Sequence, residues 1–234
     1  MSPVLRSIQV GRPKQLGFGG ATDEMDRPWF SAFFKEPVEG PVRLSEAGLT
    51  GDGQADRENH GLPEMAALCY SAGHYDRWRA ELNRPDFCFG GFGENFTFDG
   101  ADEHGVCVGD VYELGGATVR VTQPRQPCWK LGRRWRIKEL PSLVVANGRC
   151  GWYVKVLAEG VVDAGDHLVL SDRPHPEWTI ARVNDQFYRG KDDLGAAGKL
   201  AALEALSPTW RSYFARRADA AGRQNAGTGA EPDR

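Results

Sequence analysis

One thiol stands out by its neighbours. Cys128 lies in the stretch Gln123-Pro124-Arg125-Gln126-Pro127-Cys128-Trp129-Lys130-Leu131, with Arg133 and Arg134 close behind. Nearby cations favour a thiolate, the form of cysteine that attacks carbon or binds a soft metal. The same cations can hold an anionic group through charge-assisted hydrogen bonds. A second reading makes Cys128 a packed loop cysteine and the basic residues a solvated face. Composition alone favours that second reading, since cysteine is usually buried and inert.

Three other polar positions bear on chemistry. Gly51-Asp52-Gly53-Gln54-Ala55-Asp56 leads to His60-Gly61. Two aspartates and a histidine there can orient a base, bind a hard cation or cap turns, and turn capping is the commoner use of such aspartates. Gly93-Glu94-Asn95-Phe96 is a third polar loop, and Lys35 opens a short strand where most lysines snorkel. A Walker-type GxxxxGK[ST], a dinucleotide GxGxxG, a GxSxG elbow and an HExxH helix are all missing from the chain.

The elements that must position these residues are mostly short strands as far as about residue 170. The pattern predicts strands over 4–10, 35–38, 41–44, 66–70, 106–108, 110–114, 117–122, 151–157 and 161–170, with Gly115-Gly116 as a hairpin turn. Ser71 reads as the cap of a helix ending near Asn83, with Tyr75, Trp78 and Leu82 on one face. A second helix over 137–146 must take Pro141 into its first turn or be broken by it. Many short strands with frequent Gly and Pro point to a mainly-β barrel or sandwich. Beyond a Pro-containing linker at 172–176, helices are expected over 178–188, 192–206 and 208–217, and a frayed tail from Ala218. The expected division is residues 1–171 as the β domain, 177–217 as a helical extension and 218–234 as the tail.

Composition narrows the classes. Apolar residues make up 41% of the 234, enough for an ordinary core, and the formal charge of -3 leaves no basic excess for nucleic acid. Neither a membrane-spanning apolar run nor a secretory leader is expected. The five cysteines form no CxxC pair, which argues against a disulfide framework, a zinc ribbon and a cluster site, and suits a cytoplasmic chain.

Taken in order, several stretches resemble the MOSC family in its YiiM-like form: Phe34-Lys35-Glu36-Pro37-Val38, Gly48 to Asp56, His60-Gly61, Phe92-Gly93-Glu94-Asn95, Gly109-Asp110, Gln123 to Leu131, and Gly151-Trp152-Tyr153 through Gly165-Asp166. The resemblance runs from about Lys35 to about Leu170, and the following helices resemble that family's C-terminal three-helix extension. It reverses the odds on Cys128. It implies a β-barrel-like MOSC core, a molybdopterin-type molybdenum cofactor, and reduction of N-hydroxylated bases or related small N-oxygenated compounds, a family trait tied to hydroxylaminopurine resistance. By resemblance the catalytic residues are Lys35, His60 and Cys128, with Cys128 as metal ligand. Arg125, Lys130, Asn95 and Asp52 are the expected cofactor contacts. Electrons must then come from a separate reductase, and a homodimer is compatible with the family. Two departures stand out: Leu62 replaces a family glycine, and Met65 replaces a family cation. The alternatives are a non-catalytic carrier of cofactor or sulfur, a cysteine-dependent transferase or hydrolase, and a structural module whose helical tail docks a partner.

Overall fold

The computed structural model describes residues 2–56 and 61–227. The strand that carries the chain toward Cys128 is β10, Ala117–Pro124, in which Ala117, Val119 and Val121 are buried and Thr118 and Arg120 less so. That two-residue alternation places one face on a core. It pairs antiparallel with β9, Val111–Leu114, around the Gly115-Gly116 turn, and on its other side with β11, Trp152–Ala158.

From β11 the sheet passes to β7, Ala67–Ser71, then by a parallel step to β8, Phe96–Asp99. It continues to β1, Val4–Val10, and β4, Glu36–Val38, while β13, Leu168–Asp172, flanks β9 at the far side. The order of these eight strands is β13-β9-β10-β11-β7-β8-β1-β4. A bridge from Val4 to His167 brings the ends together, with Leu5 N–H donating to the Asp166 carbonyl and Leu168 N–H to that of Pro3, both at 2.8 Å. The mainly-β core is therefore barrel-like, although among the described residues no continuous ladder closes it. A smaller sheet joins β12, Gly160–Val162, to β5, Val42–Ser45, and β6, Gly48–Leu49. A hairpin of β2, Lys14–Leu16, and β3, Trp29–Ser31, stands apart.

A parallel pair needs a crossover, and α1, Ala72–Leu82, lies within the one between β7 and β8. Its Tyr75 and Trp78 are buried, and it ends on Asn83 in the left-handed region at φ 49°. Ser71 stands at the N-cap, yet its side chain makes no capping bond, because it is also the last, buried residue of β7. Two helices follow β10: α2, Trp129–Trp135, and α3, Leu140–Asn147, which takes Pro141 in its first turn, where the missing N–H costs nothing.

Three helices end the described chain: α4, Ile180–Tyr188, α5, Leu194–Ala201, and α6, Pro208–Gly227. Thr179 and Asp193 cap the first two through their side chains. Ile180, Val183, Leu200, Trp210 and Phe214 belong to the same buried cluster as the strand residues of the sheet. At the junction, Arg173 grips the fully buried Asp110 with two nitrogens, at 2.8 and 2.7 Å.

Four expectations needed correction. Residues 106–108 make only an isolated bridge, Cys107 to Thr179, while the Cys107 N–H is taken by the Asp110 carboxylate at 2.8 Å. The run 161–170 divides into β12 and β13, since Asp166 turns the chain by accepting from Asp163 N–H and Gly165 sits at φ +100°. The helix expected over 192–206 covers Leu194–Ala201 alone. Helix α6 continues past Ala218 to Gly227, through an alanine-rich stretch of high helix propensity.

Candidate active site

The Arg125 N–H donates to the Gly151 carbonyl at 3.0 Å, so the chain leaves β10 still tied to the start of β11. Cys128 then takes an extended N-cap conformation, φ -123°, ahead of α2. That short helix is pinned from below by buried Leu131 and Trp135. Trp135 stacks on Phe87 with centroids 4.0 Å apart and donates from Nε1 to the Gly91 carbonyl at 2.8 Å. Cys128 is thereby held half-buried on the wall of an open cleft of about 680 Å³, solvent at its mouth included. Burial pushes the thiols of Cys69, Cys107 and Cys150 up, and exposed Cys88 is not among the cleft-lining residues. Cys128 is thus the cysteine placed for chemistry.

Lys35 enters the same cleft from the start of β4. Its Nζ donates to both oxygens of Asp52, at 2.5 and 2.6 Å. Asp52 also accepts from Gly11 N–H and from Asn95 Nδ2, each at 2.8 Å. Asn95 is fixed in turn: its Oδ1 accepts from Leu68 N–H at 3.1 Å and its Nδ2 reaches the Gln9 carbonyl at 3.2 Å. Burial lowers the Lys35 pKa from the ordinary lysine value, and the charges of Asp52 and Glu94 oppose that shift.

Arg125 is the second buried cation, 3% exposed. Its Nη2 donates to the Phe92 carbonyl at 3.1 Å, whereas its Nη1 has no hydrogen-bond partner. A buried guanidinium nitrogen without a partner is costly, and an anion placed against it would offset that cost. The loop that offers the Phe92 carbonyl is organised by Glu94. Its carboxylate accepts from the Tyr75 hydroxyl, from Gly90 N–H at 2.7 Å, from Phe92 N–H at 3.1 Å and from Thr97 Oγ1 at 3.1 Å. Gly93 turns this loop at φ +80°, where a Cβ would come within 2.9 Å of the Phe33 ring. Tyr153 completes the wall; burial pushes its phenol up to about 12, against the opposing charge of Arg125, so it faces the cleft as a neutral O–H.

Six of the seven expected site residues therefore line one cleft: Lys35, Asp52, Asn95, Arg125, Cys128 and Lys130. His60 lies outside the described residues. Asp52 and Asn95, expected as cofactor contacts, are joined to each other and to Lys35 within the chain. The Asp52 carboxylate already accepts four hydrogen bonds, about its full capacity, and it holds Lys35. Phe33 and Tyr153 were not singled out as site residues, although Tyr153 falls in a recognised motif. Leu62 has φ -78° and ψ 145°, a conformation open to any residue, so the backbone here has no need of a glycine. Met65 is buried and lines the cleft, making its wall apolar where the family pattern carries a cation.

Comparison with known proteins agrees with this architecture. Residues 56–169 match the MOSC domain model, and residues 178–219 match that of the YiiM-like 3-alpha helix domain. The chain is 37% identical over 213 residues to YflK of Bacillus subtilis (strain 168), covering 91% of this chain and 93% of that protein. It is 35% identical over 184 residues to a protein of Gibberella moniliformis (strain M3125 / FGSC 7600) named "Reductase", a match covering 77% of this chain but 31% of the fungal protein. The crystal structure of YiiM from Geobacillus stearothermophilus superposes with a TM-score of 0.77 at 35% identity, covering 92% of this chain and 99% of that one. With both domain models matched and relatives alike over most of its length, this chain belongs to the MOSC family in its YiiM-like form.

Proposed function

We propose that the chain is a molybdenum-cofactor-dependent reductase of N-hydroxylated bases and related N-oxygenated compounds. The observation that carries this reading is the meeting, in one cleft, of the Cys128 thiol, the buried Lys35 ammonium and a buried Arg125 nitrogen that lacks a partner. A fungal relative named as a reductase supports the oxidoreductase class.

The donor set fits a molybdopterin-type group. The Cys128 thiolate is a soft ligand suited to molybdenum, and Arg125 Nη1 with Lys130 would take the group's phosphate. Among the described residues no three His, Cys, Asp or Glu side chains gather to hold a metal, and a pterin dithiolene would bring sulfur ligands of its own. When bound, this group supplies the two-electron couple. The overall change is R–NH–OH + 2 e⁻ + 2 H⁺ → R–NH₂ + H₂O.

The chain's own residues manage the protons. Lys35, locked by Asp52 and Asn95, presents an ammonium that stabilises or protonates the departing hydroxyl oxygen. His60 supplies the second proton on the family pattern. Tyr153, on β11 beside β10, keeps its O–H and would offer it as a donor to a group in the cleft. The electrons enter from a separate reductase, since the sequence carries neither a dinucleotide fingerprint nor paired cluster cysteines. Among the described residues no helix is long and apolar enough to cross a membrane, and the proposed setting is the cytoplasm.

Turnover of an N-hydroxylated base by cofactor-loaded protein and a chemical reductant tests the reading. Wild type should yield the amine and Cys128→Ser should fall to background. Cofactor binding without turnover in the wild type would mark a carrier instead, and activity in metal-free protein a thiol transferase or hydrolase.

A further inference from the structure

The chain has seven tryptophans; six are at most 8% exposed, while Trp129, directly after Cys128, is 52% exposed. A large exposed apolar ring beside a reactive thiol is unusual enough to need an account. The ring is also held in place. Trp29 packs against it at 59° with centroids 5.4 Å apart, and the Arg133 guanidinium lies 4.6 Å from its centroid. Trp29 rests in turn on Phe34 at 6.0 Å, and Phe34 carries Arg134 at 4.5 Å and Lys14 at 5.1 Å.

This wall adjoins the cleft on two sides. Cys128 and Lys130, which flank Trp129, both line the cleft, as do Ser31, Ala32 and Phe33, which follow Trp29. Its charge is unbalanced as well. Among the described residues Lys14, Lys130, Arg133 and Arg134 make no ion pair, while Arg136, one turn on, is paired with Asp23 and Asp26. Arg134 also keeps Nε and Nη1 buried without a hydrogen-bond partner.

We propose that Trp129, Arg133 and Arg134 form a subsite at the cleft mouth for a flat aromatic base bearing a phosphate, so that the preferred substrate is a nucleotide and not a free base. The base stacks on Trp129 and the phosphate meets the two guanidinium groups, which lack a carboxylate partner, although Arg133 Nη1 donates to the Arg27 carbonyl at 3.1 Å. The subsite deepens the reductase reading and rests on it for the N–OH group alone; binding of the base and phosphate requires neither cofactor nor turnover.

The test is calorimetric titration of the full chain with adenosine monophosphate and with adenosine. Wild type should bind the monophosphate more tightly than the nucleoside. Trp129→Ala should weaken monophosphate binding by about tenfold, equivalent to ~1.4 kcal/mol, and Trp129→Phe should restore most of it. Arg133→Gln with Arg134→Gln should remove the preference for the phosphate. Absence of monophosphate binding in the wild type, or equal affinity in Trp129→Ala, overturns the subsite. Expected binding together with cofactor-loaded wild type that reduces no N-hydroxylated compound overturns the reductase reading and leaves the subsite standing.

Discussion

Lys35 and Asp52 are 17 residues apart, and nothing in their spacing shows that they meet at 2.5 Å. Cys128 was legible as a candidate because its neighbours are unusual in sequence. The Asp52–Lys35–Asn95 arrangement was not, because it is made by chain crossing between β1, β4 and the loops after β6 and α1. Its consequence is a pH dependence. Burial lowers the Lys35 pKa, and the negative charge of Asp52 is the largest influence opposing that shift. If the ammonium is the working form, activity is lost as pH rises through that lowered pKa. Asp52→Asn removes the opposing charge, lowers the Lys35 pKa further, and moves the alkaline limb of kcat/KM to lower pH. Rates across about pH 6 to 10 check this, and an unmoved alkaline limb contradicts it.

Elements were readable where a period could run its course. β1 matched residue for residue, and the hairpin of β9 and β10 followed from alternation plus Gly115-Gly116. Two readings failed where a side chain acted against the pattern: Asp110 captured Cys107 N–H, and Asp166 turned the chain between β12 and β13. The Phe92–Asn95 loop is the functional instance. Its Gly93 is required both by φ +80° and by the Phe33 ring, which a Cβ would approach to 2.9 Å. Gly93→Ala should therefore destabilise the chain by about 1–3 kcal/mol and disturb the carbonyl that holds Arg125. Denaturant unfolding measures the first effect, and a midpoint equal to wild type contradicts the strain argument.

On the scale of the whole molecule, the C-terminal helices share one buried cluster with the sheet, and the Asp110–Arg173 pair clasps the chain leaving β13 to the residue ahead of β9. The Asp110 carboxylate also accepts from the Tyr112 hydroxyl and Cys107 N–H, each at 2.8 Å, so several donors depend on one buried group. Asp110→Ala should cost about 3–5 kcal/mol, read as a marked fall in thermal midpoint, and a midpoint close to wild type would refute the clasp. The helices themselves were legible as texture, but their welding to the core depends on contacts between distant parts of the chain. This rigid frame holds a thiol, a lysine and an arginine around one cleft, and the central claim is that the cleft receives a molybdenum cofactor through Cys128. The most direct measurement is molybdenum and pterin content after expression in a host that makes the cofactor, wild type beside Cys128→Ala. Near-stoichiometric molybdenum that disappears in the variant is the predicted result. Equal molybdenum in both proteins, or none in either with the host's cofactor supply verified, would contradict the account.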